Sequence, residues 1–113
     1  MVAEAKYLTE SERTALAEIK RRVSALFPVR EYILFGSKAR GDFDPDSDVD
    51  LLMVTERELS RDEKHAVSRV VFEVDLALGT NCTFVAVDSA TWDSDLWRHV
   101  PIHRSVVSEG VRV

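Results

Sequence analysis

Two aspartates, Asp48 and Asp50, stand one residue apart at the start of an apolar run that continues to Val54. On a β-strand, side chains two positions apart point to the same side, so both carboxylates would emerge from one face. Two hard oxygen ligands on one face suit Mg²⁺ and the phosphate groups that this ion carries. The spacing therefore predicts a metal site that works on phosphorylated compounds.

A glycine–serine pair, Gly36 and Ser37, closes the apolar run that precedes the acidic stretch. A strand-to-helix turn leaves backbone N–H groups unpaired, and a glycine lets a phosphate approach without obstruction by a Cβ atom. We expect Ser37 either to cap a brief helical turn that runs through Arg40 or to donate its hydroxyl to a phosphate oxygen. A Gly-Ser pair alone is usually a plain turn, but its position before the aspartates favours phosphate binding.

The acidic stretch contains more carboxylates than the predicted metal site needs. Carboxylates this close repel one another unless a cation or nearby arginines compensate them. A cation is the simplest compensation for the last two, whereas a solvated acidic loop would account for the first three. The five aspartates are Asp42, Asp44, Asp46, Asp48 and Asp50.

The elements that would position these residues are short strands between two long amphipathic helices, which predicts an α/β (or α+β) domain with a small sheet. The segment 72–78 has both helical and strand spacing, and we favour a helix because its period holds from Val67 onward and Gly79 ends it. The predicted elements are helices over 9–27, 37–40, 60–78 and 101–110, strands over 31–35, 49–54 and 83–87, and a weakly helical segment over 91–97.

Length, charge and cysteine content narrow the class of protein. A chain of 113 residues is expected to form a single domain, 1–113. The net charge of −5 argues against general binding of nucleic acid. No apolar stretch approaches the roughly 20 residues of a membrane span, and a single cysteine, Cys82, fits a reducing compartment. We therefore expect a cytoplasmic protein that engages no membrane, with Cys82 as a buried, inert thiol.

The signature over residues 34–54 resembles that of the nucleotidyltransferases in the DNA polymerase beta superfamily. The residues that carry the resemblance are Gly36-Ser37-x-Ala39-Arg40-Gly41 followed by Ser47-Asp48-x-Asp50-Leu51. More closely, the signature looks like that of the minimal nucleotidyltransferases (MNT type) of bacteria and archaea. With the C-terminal segment, the resemblance covers about residues 30–112. It implies a palm-like sheet with helices packed on one side, and transfer of a nucleoside monophosphate from a nucleoside triphosphate, with ATP the expected donor.

The resemblance also implies roles for the residues of the signature. Gly36 and Ser37 would hold the β and γ phosphates, and Arg40 would shape the turn or meet phosphate. Asp48 and Asp50 would bind Mg²⁺ and would be the catalytic carboxylates.

Minimal members of this family are often encoded beside HEPN-domain toxins and act as antitoxins that transfer AMP to a tyrosine of the toxin. The resemblance therefore implies a HEPN-type protein partner. So short a chain has little room for an acceptor-binding domain, which a partner or a second copy in a homo-oligomer would supply. Two alternatives remain: a catalytically weak or inactive binding module that regulates a partner by contact, and a small-molecule nucleotidyltransferase of the aminoglycoside-modifying sort, although those usually have a further helical domain.

One departure from the family concerns a third carboxylate. Active members usually carry it on the strand after the long helix, where residues 82–87 of this chain contain no acid. Asp88 at the end of that strand is one substitute, and Asp75 becomes another if the segment 72–78 is a strand. Nucleotide binding is therefore better supported by the sequence than turnover.

Overall fold

A four-stranded mixed sheet forms the centre of the protein, whose computed structural model describes residues 5–113. The strands are β1 (Val29–Phe35), β2 (Val49–Thr55), β3 (Cys82–Asp88) and β4 (Val111–Arg112). They are arranged in the order β3-β2-β1-β4, with β2 parallel to β3 and antiparallel to β1, and with β4 antiparallel to β1. The predicted mixed α/β class with a small sheet is confirmed.

Two long helices and several short ones accompany the sheet. The helices are α1 (Glu10–Leu26), α2 (Ser37–Arg40), α3 (Arg61–Leu78), α4 (Ser89–Trp92) and α5 (Pro101–Glu109), with a 3₁₀ turn at Trp97–His99. Thr9 and Ser60 begin α1 and α3 with capping boxes, which satisfy backbone N–H groups at each start. Because α3 continues to Leu78, the segment 72–78 is helical, as favoured from its period. Among the described helices, none is long and apolar enough to cross a membrane.

The two faces of the sheet are covered differently. Odd-numbered residues of β2, such as Val49 and Leu51, pack in a core with α1 and α3. Even-numbered residues, Leu52 and Val54, pack in a second core with Trp92 of α4 and Val106 of α5. The expectation of helices on one side thus holds for the two long helices, while the short C-terminal helices cover part of the opposite face.

The central position of β2 explains its composition. Its residues from Leu51 to Thr55 are all buried, because the strand has neighbours on both sides and cores on both faces. The sequence predicted this strand from its continuous apolar run. Strand β4 was not predicted, because two residues are too few to show a period.

Candidate functional site

The acidic pair lies at the start of the central strand. Asp50 is paired with Phe35 of β1 and with Thr83 of β3, and Asp48 immediately precedes β2. Both residues are half-buried, and strand alternation directs them to the face that carries α4 and α5. The structure thus brings the two carboxylates together on one face, at the end of the sheet where β1 leads into α2.

Gly36 packs directly against the carboxylate of Asp50. Its φ of +79° is one that L side chains rarely adopt, and a Cβ atom placed there would collide with Oδ2 of Asp50. Glycine is therefore required at this position on two counts. The turn and the acidic pair are in contact, so a group bound by one is within reach of the other.

The turn begins α2 in a different way from the one predicted. Gly36, and not Ser37, is the N-cap residue, and no side chain caps the helix. The first hydrogen bonds of the turn run from the N–H groups of Ala39 and Arg40 to the carbonyl of Gly36. The N–H groups of Ser37 and Lys38 consequently have no partner within the turn, and the Ser37 hydroxyl is not used as a cap.

Neutral donors, and no cations, meet the two carboxylates. The side-chain amide of Asn81 donates to Oδ1 of Asp48, and the hydroxyl of Thr83 donates to Oδ1 of Asp50 across 2.8 Å. Within residues 5–113, no lysine, arginine or histidine forms an ion pair with either aspartate. Two uncompensated carboxylates on one face, each oriented by a donor, fit the oxygen ligands of Mg²⁺.

The other aspartates of the stretch have different partners. Asp42 accepts from Nε of Arg40 at 3.1 Å. Asp44 closes the loop by accepting from the backbone N–H of Asp46 at 2.9 Å. Asp42, Asp44 and Asp46 are all exposed, so the first three carboxylates belong to a solvated loop and only the last two to the candidate site.

Neither substitute for a third carboxylate reaches the acidic pair, which corrects that expectation. Asp88 is paired with Thr55 at the opposite end of β2, and it caps α4. Hydrogen bonds from the hydroxyl and N–H of Thr91 lower the pKa of Asp88. Asp75 lies in helix α3, where it accepts from the hydroxyl of Thr80 and the N–H of Cys82.

The strand position beside Asp50 is occupied by Thr83. In the described part of the chain, no three histidine, cysteine, aspartate or glutamate side chains group together in a way that would hold a metal ion. Sequence reasoning overlooked Asn81 and Thr83, because their role depends on the register between β2 and β3. A parallel alignment that starts from Val49 opposite Cys82 would have revealed both.

Arg40 connects the turn to the C-terminal helix. Its Nη1 atom lies 3.0 and 2.9 Å from the two carboxylate oxygens of Glu109. Hydrogen bonds to Asp42 and Glu109 raise the pKa of Arg40 above its ordinary value. These contacts hold Arg40 between the loop and the C-terminal helix, and a contact between Arg40 and phosphate stays a prediction.

Lys38, which sequence reasoning also overlooked, connects the turn to α1. Its side chain is buried, its Nζ atom lies 3.2 Å from the carboxylate of Glu12, and it lies 4.2 Å from the centre of the Phe43 ring. Glu12 also accepts the N–H of Thr9 in the capping box of α1. The start of α1 and the turn are thus joined by one buried ion pair.

The comparison with protein families gives one match. A family model described as a nucleotidyltransferase domain matches residues 16–103, which includes the turn, the acidic pair and β3. None of the curated proteins matches the chain.

Several solved structures share the fold. A toxin–antitoxin crystallised with AMP-PNP is 17% identical, with a TM-score of 0.61, and the match covers 92% of this chain and 72% of that one. A mutant of the toxin–antitoxin MntA–HpeT is 18% identical, with a TM-score of 0.57, covering 89% and 70%. A protein from Sulfolobus solfataricus, provisionally named a nucleotidyltransferase, is 21% identical, with a TM-score of 0.53, covering 95% and 88%.

Proposed function

The chain belongs to the nucleotidyltransferase domain family, and on that premise we propose that it transfers AMP from ATP to a hydroxyl group of a protein partner. The observation that carries this proposal is the contact between Gly36 and the carboxylate of Asp50. A turn with free N–H groups and a pair of uncompensated carboxylates then face the same small space. A triphosphate with its divalent cation needs this combination of donors and acceptors.

Each part of the site has a role in this proposal. At the turn of Gly36 and Ser37, the unpaired N–H groups of Ser37 and Lys38 bind the terminal phosphates, and the carboxylates of Asp48 and Asp50 would hold Mg²⁺. When bound, Mg²⁺ would supply charge neutralisation at the triphosphate. Lys38 and Arg40 hold the turn in place through Glu12 and Glu109, so that the phosphates are bound in a fixed position.

The reaction forms one bond and breaks another. The acceptor oxygen bonds to the α-phosphorus of ATP, the bond from that phosphorus to the bridging oxygen breaks, and pyrophosphate leaves. The hydroxyl proton passes to water, because Thr83 stands where a third carboxylate would be placed to accept it. We therefore expect slow turnover.

The partner in this proposal is a HEPN-type toxin, which the chain would neutralise as its antitoxin. Two lines of support are the resemblance of the signature to minimal nucleotidyltransferases and the fold shared with toxin–antitoxin proteins, one of them crystallised with AMP-PNP. The exposed side of β3 is a third line of support for a protein acceptor. Thr83, which lies beside Asp50, and Val85, the next residue on the same face of β3, are both exposed, which leaves room for an acceptor to approach.

Label transfer tests the activity directly. The protein is incubated with Mg²⁺, the purified product of the neighbouring gene, and ATP labelled at either the α- or the γ-phosphorus. We expect the α label, and not the γ label, to become bound to the partner. Asp50→Asn should abolish the transfer, whereas Asp46→Asn, the same change in the solvated loop, should leave it intact. Equal labelling with wild type and Asp50→Asn would refute the proposal.

A second candidate function is a binding module that neutralises its partner by contact alone. The presence of Thr83 beside Asp50, in place of an acid, favours it. In that case Asp48→Ala would leave both complex formation and neutralisation intact, and no label would be transferred by the wild type. Loss of neutralisation in Asp48→Ala, together with loss of label transfer, would exclude this alternative.

A further inference from the structure

Two residues at the start of β3 lie beside the acidic pair, one next to each aspartate. Because β2 and β3 are parallel and Val49 is opposite Cys82, the residues on either side of Cys82 fall beside the two aspartates. Asn81 meets Asp48, and Thr83 meets Asp50. Asn81 and Thr83 each have a hydrogen-bond donor in the side chain, so each can bind the carboxylate beside it.

The two hydrogen bonds have the same form. Each donor binds the Oδ1 atom of its aspartate and does not engage the Oδ2 atom. On Asp50, the Oδ2 atom is the one that faces Gly36 and therefore the turn. A carboxylate held by one oxygen presents its other oxygen in a fixed direction, which is how neighbouring donors orient metal ligands in proteins.

The exposure of the two donors indicates that they orient the aspartates and do little to stabilise the fold. Asn81 and Thr83 are both exposed, so each hydrogen bond forms in competition with water and adds little to the stability of the fold. Thr83 lies on the edge strand of the sheet, and the next residue on its face, Val85, is apolar and exposed. The next side chain beyond Thr83 on the exposed face of β3 therefore offers no oxygen ligand.

We propose that Asn81 and Thr83 are positioning residues that aim Asp48 and Asp50 at one divalent cation, and that the absence of a carboxylate at position 83 limits the site to a single cation per chain. This inference rests on the proposed function, which assigns the cation to the acidic pair. The hydroxyl of Thr83 donates to Asp50, whereas a carboxylate in its place would add a third anionic ligand to the site.

Titration of the full chain with Mn²⁺, followed by the electron paramagnetic resonance signal of the free ion, tests the proposal without any measurement of activity. The wild type should bind one ion. Thr83→Val, which keeps the shape and removes the hydroxyl, should weaken binding about tenfold at unchanged stoichiometry. Thr83→Ser should restore the affinity, and Thr83→Asp should raise the stoichiometry to two. Thr14→Val, the same change at an exposed position of α1, is the matched control and should bind as the wild type does.

The outcomes separate this inference from the proposed function. Binding by the wild type that is lost in Asp50→Asn but unchanged in Thr83→Val would overturn the inference alone. Two ions bound by the wild type would also overturn it. Absence of binding in the wild type, or equal binding by the wild type and Asp50→Asn, would remove the metal site and both proposals with it. Circular dichroism of each variant shows whether a weakened affinity reflects unfolding.

Discussion

Gly36 determines both the direction of the backbone at the turn and the space beside the Asp50 carboxylate. Its positive φ turns the chain from β1 into α2, and its missing Cβ leaves space that the carboxylate of Asp50 fills. Gly79 provides a natural comparison. It also has a positive φ, of +68°, but a Cβ atom there would meet nothing within 4 Å. A substitution at Gly79 would therefore strain the backbone only, whereas a substitution at Gly36 would also obstruct the space beside Asp50.

The change Gly36→Ala should lower the free energy of unfolding by about 1–3 kcal/mol and abolish ATP binding. The loss of stability follows from the strained backbone, and the loss of binding from displacement of the Asp50 carboxylate. Gly79→Ala should lower the free energy by about 1 kcal/mol and leave ATP binding unchanged. Urea unfolding and calorimetric titration with ATP measure the two effects. ATP binding by Gly36→Ala at wild-type strength would contradict the role assigned to this turn.

The burial of Cys82 leads to a prediction about how the free energy of unfolding depends on pH. Burial, together with the nearby Asp75 carboxylate, raises the pKa of the Cys82 thiol from 9.0 to about 12. The unfolded chain therefore loses this proton before the folded chain does, and stability falls as the pH rises from about 9 to about 12. The slope attributable to Cys82 is at most about 1.4 kcal/mol per pH unit. Burial also raises the pKa of Tyr32, so both proteins lose stability in this range; urea unfolding should show a steeper loss in the wild type than in Cys82→Ala, and parallel curves would contradict the role of Cys82.

At the scale of elements, the sequence predicted what depends on local periodicity and missed what depends on pairing between distant segments. Helices α1 and α3 and strand β2 were recognisable from their apolar spacing. The two aspartates were recognisable because they stand two positions apart at the start of the apolar run of β2. The donors Asn81 and Thr83 were not, because nothing local states which residue of β3 lies beside Asp50. The ion pair of Lys38 with Glu12 joins segments 26 positions apart and escaped for the same reason.

That ion pair should be the main link between the turn and α1. Lys38→Met should lower the free energy of unfolding by about 3 kcal/mol, because it leaves the buried carboxylate of Glu12 without its cation. The double variant Lys38→Met/Glu12→Gln should recover part of this loss. Urea unfolding of both single variants and the double variant gives the coupling energy between the two residues. Additive losses would contradict a direct link. Arg21→Met, which removes the exposed partner of Glu18, serves as the control with little effect.

In the molecule as a whole, the larger core and the candidate site lie on opposite faces of the sheet. The face under α1 and α3 contains the larger core, from Ala15 to Val111. The opposite face is covered by α4 and α5 in its second core and carries the acidic pair at its edge. A chain of net charge −5 that also holds two uncompensated carboxylates together should be stabilised by a divalent cation.

We therefore expect the difference in stability between the wild type and Asp48→Asn to have opposite signs in EDTA and in Mg²⁺. In EDTA, Asp48→Asn should melt at a slightly higher temperature than the wild type, because the repulsion between Asp48 and Asp50 is relieved. In Mg²⁺ at a hundred times its Kd, the wild type should gain about 2.7 kcal/mol and become the more stable of the two, since only the folded state binds the ion. Asp46→Asn should follow the wild type in both conditions, because Asp46 lies in the exposed loop. Differential scanning calorimetry in the two buffers measures the crossing. A rise of the same size in all three proteins would mean that Mg²⁺ acts on the acidic surface in general and that the pair is not its binding site.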